Sequence, residues 1–412
     1  MTDHDGLDQL FRREWAHLVA SLTRALGPSQ ISLVEDAVNE ALMTAMQAWQ
    51  LASPPRDPRA WLFATAKNRA IDKIRRDRRL VALADQEAEE LATHSDDADD
   101  AESQLAMMLS ICDERLSQET HVTLILRLLC GLSPLEIARA FLVDVAVIDR
   151  RLHRGKARLR ELGRLHDVRD RTQLASRLPS VVQALYLLFN EGYQGSDAEN
   201  ALQPGLCAEA LRLGSLLVQS SALGQAERVE LDALLALFCF QAARLATRVD
   251  AEGVLLPLAE QDRARWDREL IEQGVKHLAK SAAGARMSRW HLEAGIACEH
   301  ALAPSTETTD WKRIVDLYDD LARLLPTPVI KLNRALALAE LRGLPAARQA
   351  LEEVANERSL NDYPFYWSAR ADLERRAGEL RSAQEHYQRA IQLARNPAER
   401  IAYERKLREI GN

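Results

Sequence analysis

Residues 131–160, GLSPLEIARAFLVDVAVIDRRLHRGKARLR, leave this chain few ways to fold. Ser133-Pro134-Leu135-Glu136 spells a capping box with proline at the first helical position, so a helix starts there. Apolar spacing carries it to about Phe141. Residues 142–144 (Leu-Val-Asp) predict a tight turn, and Asp144 is placed to cap a second helix. Ala138, Phe141, Val143, Ile148 and Leu152 would form the small core that fixes the crossing angle. Asp149, Arg150, His153 and Arg154 then face outward on the early turns of the second helix. A helix that enters a DNA groove reads base edges from such positions. Lys156, Arg158 and Arg160 continue along the helix, nearer to phosphates than to bases. Residues 150–160 hold six Lys/Arg and no acid. A plain basic surface helix accounts for the charge, but not for the capping box, turn and core together.

That pattern sits in a chain of net charge −7. The acid is local. Through residue 179 there are 25 Lys/Arg and 28 Asp/Glu, and nine of those acids lie in residues 80–106, which contain no Lys or Arg. With that stretch set aside, the net −3 becomes +6. Its Ser-Asp-Asp-Ala-Asp-Asp centre and lack of aromatics predict an acidic linker over 80–106.

A chain of 412 residues exceeds one compact core, so two to four domains are expected. Leu and Ala dominate and β-branched alternation is scarce, which predicts an all-α protein. The five cysteines (Cys112, Cys130, Cys207, Cys239 and Cys298) show no ligand spacing and read as reduced, buried thiols. The start, MTDHDGLDQLFRREW, is acidic where a signal peptide needs base, and no apolar run is long enough to span a bilayer. These features predict a soluble, cytoplasmic protein without a membrane partner.

Residues 8–79 read as several helices. In LVEDAVNEALMTAMQAW (33–49), Val34, Val38, Ala41, Leu42, Ala45 and Trp49 fall near one stripe. LASPPRDP breaks that helix; Asp57 can cap the next one and Pro58 fits its first position. The next helix grows basic, with seven Lys/Arg in residues 67–79. Trp61, Phe63 and Asn68 lie upstream, a combination suited to stacking on and bonding to unpaired bases. Core packing explains the two aromatics equally well, and a solubilising helix end explains the arginines.

From about residue 178 a series of Leu/Ala-rich helices runs to the C-terminus. Ala335 and Ala347 are twelve residues apart, as are Ala371 and Ala383, with Gly343 and Gly378 before each second alanine. Trp367, Tyr387 and Ala390 fall at the large and small packing positions of a tetratricopeptide unit, offset by a period close to the usual one. The customary tyrosine of the first helix is Leu338 in one unit and Glu374 in the other. A generic helical bundle with regular loops is the alternative.

Taken together, these segments resemble a bacterial sigma factor of the extracytoplasmic-function (sigma-70) type. EDAVNEALMTAMQAW resembles the region 2 helix that docks on the β′ clamp helices of RNA polymerase. AWLFATAKNRAIDKIRRDRR resembles the helix that recognises and opens the −10 element. GLSPLEIARAFLV…RRLHRGKARLRE resembles the region 4 helix-turn-helix that reads the −35 element. ALYLLFNEGYQGS (184–196), LLPLAEQDRARWDRELIEQG (255–274), RWHLEAGIACEHA (289–301) and residues 310–343 resemble the subgroup with a C-terminal tetratricopeptide-like domain. The resemblance implies region 2 over 8–79, the linker over 80–106, region 4 over 107–165 and a regulatory helical domain over 178–412. Two segments depart from the subgroup: SICDERL (110–116) replaces a Cys-Cys-His-Pro segment, and DVAVIDRR (144–151) replaces the usual entry to the recognition helix. The −35 preference is therefore not carried over.

The resemblance implies core RNA polymerase (β′ clamp helices and β flap) and promoter DNA as partners. It puts Asp36 and Glu40 against the clamp, and Trp61, Lys67, Asn68, Lys73, Arg75 and Arg76 near the −10 strand. Asp149, Arg150, Arg151, His153, Arg154 and Lys156 go to the −35 duplex. In the regulatory domain the candidates are Asn190, Glu191 and Tyr193 of FNEGY, and Asp262, Arg263 and Trp266. A helix C-cap at Gly192 explains the first set as well, and a buried Trp266 with Asp262 as cap explains the second. An intramolecular contact between the C-terminal domain and regions 2 or 4 is a further candidate. No phosphate loop, nucleophile elbow or metal spacing is present, so neither an enzyme nor a cofactor is expected. The competing reading is a one-component helix-turn-helix regulator with a sensing repeat domain, which leaves residues 8–79 unexplained.

Overall fold

Prolines and capping side chains set where the helices start. In the computed structural model, which describes residues 3–51, 55–78, 97–141, 143–166, 170–193, 202–221, 223–284, 286–355 and 357–411, the chain is all-α. The helices are α1 (Asp3–Leu26), α2 (Ile31–Leu51), α3 (Pro58–Arg78), α4 (Asp97–Ile111), α5 (Gln118–Leu128), α6 (Pro134–Phe141), α7 (Val145–Arg160), α8 (Arg171–Tyr193) and α9 (Pro204–Gln219). They continue as α10 (Gln225–Ala242), α11 (Arg268–Ser281), α12 (Arg289–Leu302), α13 (Trp311–Leu324), α14 (Pro328–Arg342), α15 (Leu344–Glu352), α16 (Arg358–Asn361), α17 (Pro364–Arg376), α18 (Leu380–Leu393) and α19 (Pro397–Gly411). Six of them open on proline, whose missing N–H costs nothing at that position. Asp57 accepts from Ala60 N at 2.9 Å, and Ser133 and Glu136 exchange both capping-box bonds, as their spacing predicts. Among the described residues the only β pairing is an isolated bridge between Val249 and Leu255.

Contacts divide the chain into two units, Met1–Leu188 with Ala208–Gly224, and Phe189–Cys207 with Gln225–Asn412. In the first unit α2 packs on α1 and α3. Val34, Val38, Ala41, Leu42 and Ala45 are buried, while Trp49 is half-buried. Each fully buried leucine or valine contributes about 1.5–3 kcal/mol. The expected linker ends earlier than its composition suggests. Residues 97–106 belong to α4, because Leu105, Ala106, Met107 and Met108 are buried where α4 packs on α1. Residues 80–96 lie outside the described residues.

The expected domain start near 178 does not coincide with the contact boundary. Arg177 Nη1 donates to Leu109 O at 2.7 Å, and Arg212 Nη2 donates to Gln104 Oε1 at 2.6 Å. Parts of α8 and α9 thus complete the first unit. Gly192 also differs from its expected place as a helix cap. The helix continues to Tyr193, and a Cβ on Gly192 would lie 2.7 Å from Gln203 O and 2.8 Å from Cys207 N. A close approach of backbones explains that glycine.

In the second unit the four alanines spaced by twelve (Ala335, Ala347, Ala371 and Ala383) are fully buried, as are Tyr387 and Ala390. Gly343 and Gly378 adopt φ of 83° and 82°, which a side chain resists. Glu374 is buried and its Oε2 lies 2.6 Å from His386 Nδ1, so a hydrogen-bonded contact fills the place expected for a tyrosine. Arg405 meets Asp250 at 2.6 Å, tying α19 to the turn after α10. All five cysteines are free and buried.

Candidate nucleic-acid interface

The capping box starts α6 and the chain turns into α7 through Val143 and Asp144; Leu142 lies outside the described residues. Asp144 occupies the N-cap in extended conformation, but its side chain makes no cap bond, contrary to expectation. Its carbonyl accepts from Val147 N at 2.9 Å instead. Ala138, Ile148 and Leu152 are buried as predicted. Phe141 and Val143 are only half-buried, and the Arg151 guanidinium stands 5.5 Å from the Phe141 ring. Phe141 is therefore a platform for a cation and not a core residue.

The faces of α7 are set by what the helix rests on. Gly155 is buried, and a Cβ there would lie 2.5 Å from the Leu124 side chain of α5, so any larger residue would force Leu124 or the helix to shift. Asp149, Arg150, His153 and Arg154 are exposed. They border an open concavity with Arg115 and Glu161. This is the face expected to meet DNA.

Lys156 and Arg158 depart from that expectation. Lys156 Nζ lies 2.5 Å from Glu35 Oε2, an ion pair by distance, with the lysine side chain 19% exposed. Arg127 Nε donates to the other Glu35 oxygen at 3.0 Å, and its guanidinium covers the Trp15 ring at 4.6 Å. Trp15 Nε1 in turn donates to Arg127 O at 3.1 Å. Arg158 donates to Asp113 at 3.1 Å and pairs with Glu161. Lys156 is engaged by Glu35, while Arg158, engaged by Asp113 and Glu161, also lines the concavity beside Arg150 and Arg154. With Glu35 buried between them, removing the carboxylate would leave Lys156 and Arg127, two partly buried cations, without a partner. Local periodicity gave no sign of this cluster, since Glu35 and Lys156 are distant in sequence.

On α3, Asn68, Arg75 and Arg76 are exposed, while Trp61 and Lys67 are half-buried. Trp61 leans on Trp49 with ring centroids 5.8 Å apart. Lys73 Nζ is 2.8 Å from Glu40, and Arg69 donates to the same carboxylate at 3.0 Å. Hydrogen bonds from Lys73 and Arg69 hold Glu40 below the usual carboxylate range. Lys73 and Glu40, expected on different binding surfaces, thus neutralise each other between α2 and α3. Asp36 is exposed.

In the second unit, Asp262 accepts from Ala264 N at 3.0 Å, and Trp266 is buried with its Nε1 donating to Thr247 Oγ1 at 3.0 Å. Arg263 donates to His300 O and Ala303 O, both at 2.7 Å. The cap at Asp262 and the buried Trp266 ring that the sequence allowed are both present. Asn190 and Glu191 are half-buried and Tyr193 is buried. Among the described residues no cluster of His, Cys, Asp and Glu is set to hold a metal, and no helix is long and apolar enough to cross a membrane.

Residues 11–80 match the family sigma-70 region 2, which spans most of α1 through α3. Residues 177–282 match a family of unknown function, DUF6596, which runs across both contact units. The chain is 37% identical over 401 residues to "Uncharacterized protein R00370" of Rhizobium meliloti (strain 1021), covering 93% of this chain and 92% of that one. No solved structure matches it.

Proposed function

The chain belongs to the family of the Rhizobium meliloti protein and carries a sigma-70 region 2 domain, and on that premise we propose that it binds core RNA polymerase and directs promoter-specific initiation. The match over 11–80 carries this reading. The finer assignment is an extracytoplasmic-function type factor, supported by the short helix-turn-helix of α6 and α7 with its exposed Arg150 and Arg154. In it, α6 and α7 hold the −35 duplex, and Asn68, Arg75 and Arg76 on α3 capture −10 bases as they unstack. Melting follows from better binding of the open form. The helical C-terminal part, tetratricopeptide-like in its buried alanines, controls that activity.

Promoter engagement demands a rearrangement. Elements about 25 base pairs apart are separated by roughly 80 Å of duplex at about 3.4 Å per pair, whereas α2 and α7 are joined through Glu35 and Lys156. The packed arrangement is that of the free chain, and polymerase holds the two modules apart, multiplying two modest affinities. Asp36, exposed beside Glu35, is the acid that meets the clamp; Glu40 serves to hold α3. Charge reversal at Asp36 therefore lowers affinity for core polymerase at least tenfold in a co-migration assay with purified core. Unchanged affinity would remove that docking assignment.

A further inference from the structure

The second unit encloses a cavity of about 470 Å³ between the turn after α10 and helices α14, α17 and α19. Its size is that of a small-molecule site. Tyr363, Phe365, Leu336 and Leu256 supply apolar walls, and the charged groups among them are unequally matched. Arg395 is held by Glu399 at 2.5 Å, Asp372 by Arg375 at 2.8 Å, and Lys406 lies 3.6 Å from Glu260. Two cations remain. Arg244 donates to the Tyr193 hydroxyl, and the Arg248 guanidinium lies 3.7 Å from the Tyr193 ring centroid. Neither meets a carboxylate among the described residues, and the buried Nε of Arg248 has no acceptor there. Gln261 lines the same cavity and is 7% exposed. Its amide Nε2 donates to Leu256 O at 3.0 Å, while its Oε1 has no donor among the described residues.

Two guanidiniums without a carboxylate partner and a buried acceptor without a donor are costly unless something meets them. We infer that this cavity binds a small organic anion with a planar apolar body and one hydrogen-bond donor. The acid group sits against Arg244 and Arg248, the ring lies among Tyr363, Phe365 and Leu336, and the donor reaches Gln261 Oε1. Burial holds His300 and Arg263 below their usual basicity, and the field of the nearby Arg244 adds to both shifts. The inference is independent of the transcription reading, because binding is measured on the chain alone.

The test uses the full chain and three compounds of one shape: 3-(4-hydroxyphenyl)propionate, its uncharged amide, and 3-phenylpropionate, which lacks the phenolic donor. Titration calorimetry is expected to give the acid at least tenfold tighter binding than the amide and several-fold tighter than 3-phenylpropionate. Arg248→Met is expected to erase the preference for acid over amide, and Gln261→Leu the preference for the phenol. Equal binding of acid and amide by the unaltered chain, or no binding of the acid at millimolar concentration, overturns the inference. So does a preference that survives Arg248→Met in a variant with unchanged circular dichroism.

Discussion

Lys156 Nζ lies 2.5 Å from Glu35 Oε2, joining the second helix of the helix-turn-helix to α2 at a carboxylate only 5% exposed. Arg127 holds the other oxygen of the same group. Glu35→Ala leaves two partly buried cations without their partner and is expected to cost about 2–4 kcal/mol. Lys156→Met leaves Glu35 paired with Arg127 and is expected to cost less than half as much. Denaturant unfolding of both variants checks the order; equal costs would mean that Glu35 is held by one cation alone.

The DNA face of α7 follows from which cations are unengaged. Replacing exposed Arg150 and Arg154 by alanine is expected to weaken polymerase-dependent binding of promoter duplex by about 1–3 kcal/mol per residue that contacts a base. Arg158→Ala, which breaks the contact with Asp113, should act first on thermal stability. Comparing melting temperature with duplex affinity across the three variants separates the two effects.

Gly155 is required by the crossing with α5. A Cβ 2.5 Å from the Leu124 side chain forces that residue or the helix to shift. Gly155→Ala, normally favourable within a helix, is expected to destabilise by about 1–3 kcal/mol. Leu124→Ala in the same chain should recover part of the loss relative to the sum of the single effects. Strict additivity would show that the crossing is not tight.

The second unit should lose stability in acid through His300. Burial, with the fields of Arg244 and Arg263 acting in the same direction, lowers its pKa to about 4. The folded state therefore keeps His300 neutral, while the unfolded chain takes up a proton below about pH 6.5. The unfolded state binds more protons between those values, so stability falls as pH drops from 6.5 towards 4. The contribution is about 2 kcal/mol between pH 7 and pH 5. His300→Gln is expected to flatten the dependence of unfolding on pH by that amount; an unchanged slope would assign it to other groups.

Much of the local architecture was legible because it depends on neighbours in sequence. Ser133 with Glu136, Asp57 with Pro58, and the alanines spaced by twelve all act within one helix or one helix pair. The stripe on α2 was legible for the same reason. What escaped is long-range. Nothing in the spacing of Lys156 says that its charge is spent on Glu35, and nothing near Lys73 says that it meets Glu40. Gly192 reads as a cap until Cys207 is seen beside it. The boundary near 178 follows a change in composition, whereas the contacts of Arg177 and Arg212 extend the first unit past it. In the candidate interface, the outward positions of Arg150, His153 and Arg154 came from helical period alone, and the loss of Lys156 required the fold.

The central claim is that this chain gives core RNA polymerase its promoter choice. Purified core polymerase, a template carrying a promoter selected from the chain's own binding sites, and the purified full chain provide the direct measurement. Discrete promoter-initiated RNA that appears only when the chain is added, and that is lost with the Arg150→Ala/Arg154→Ala pair, is the predicted result. Binding of promoter duplex by the chain alone, with no specific RNA in the presence of core polymerase, would contradict the account and favour a regulator that acts without it.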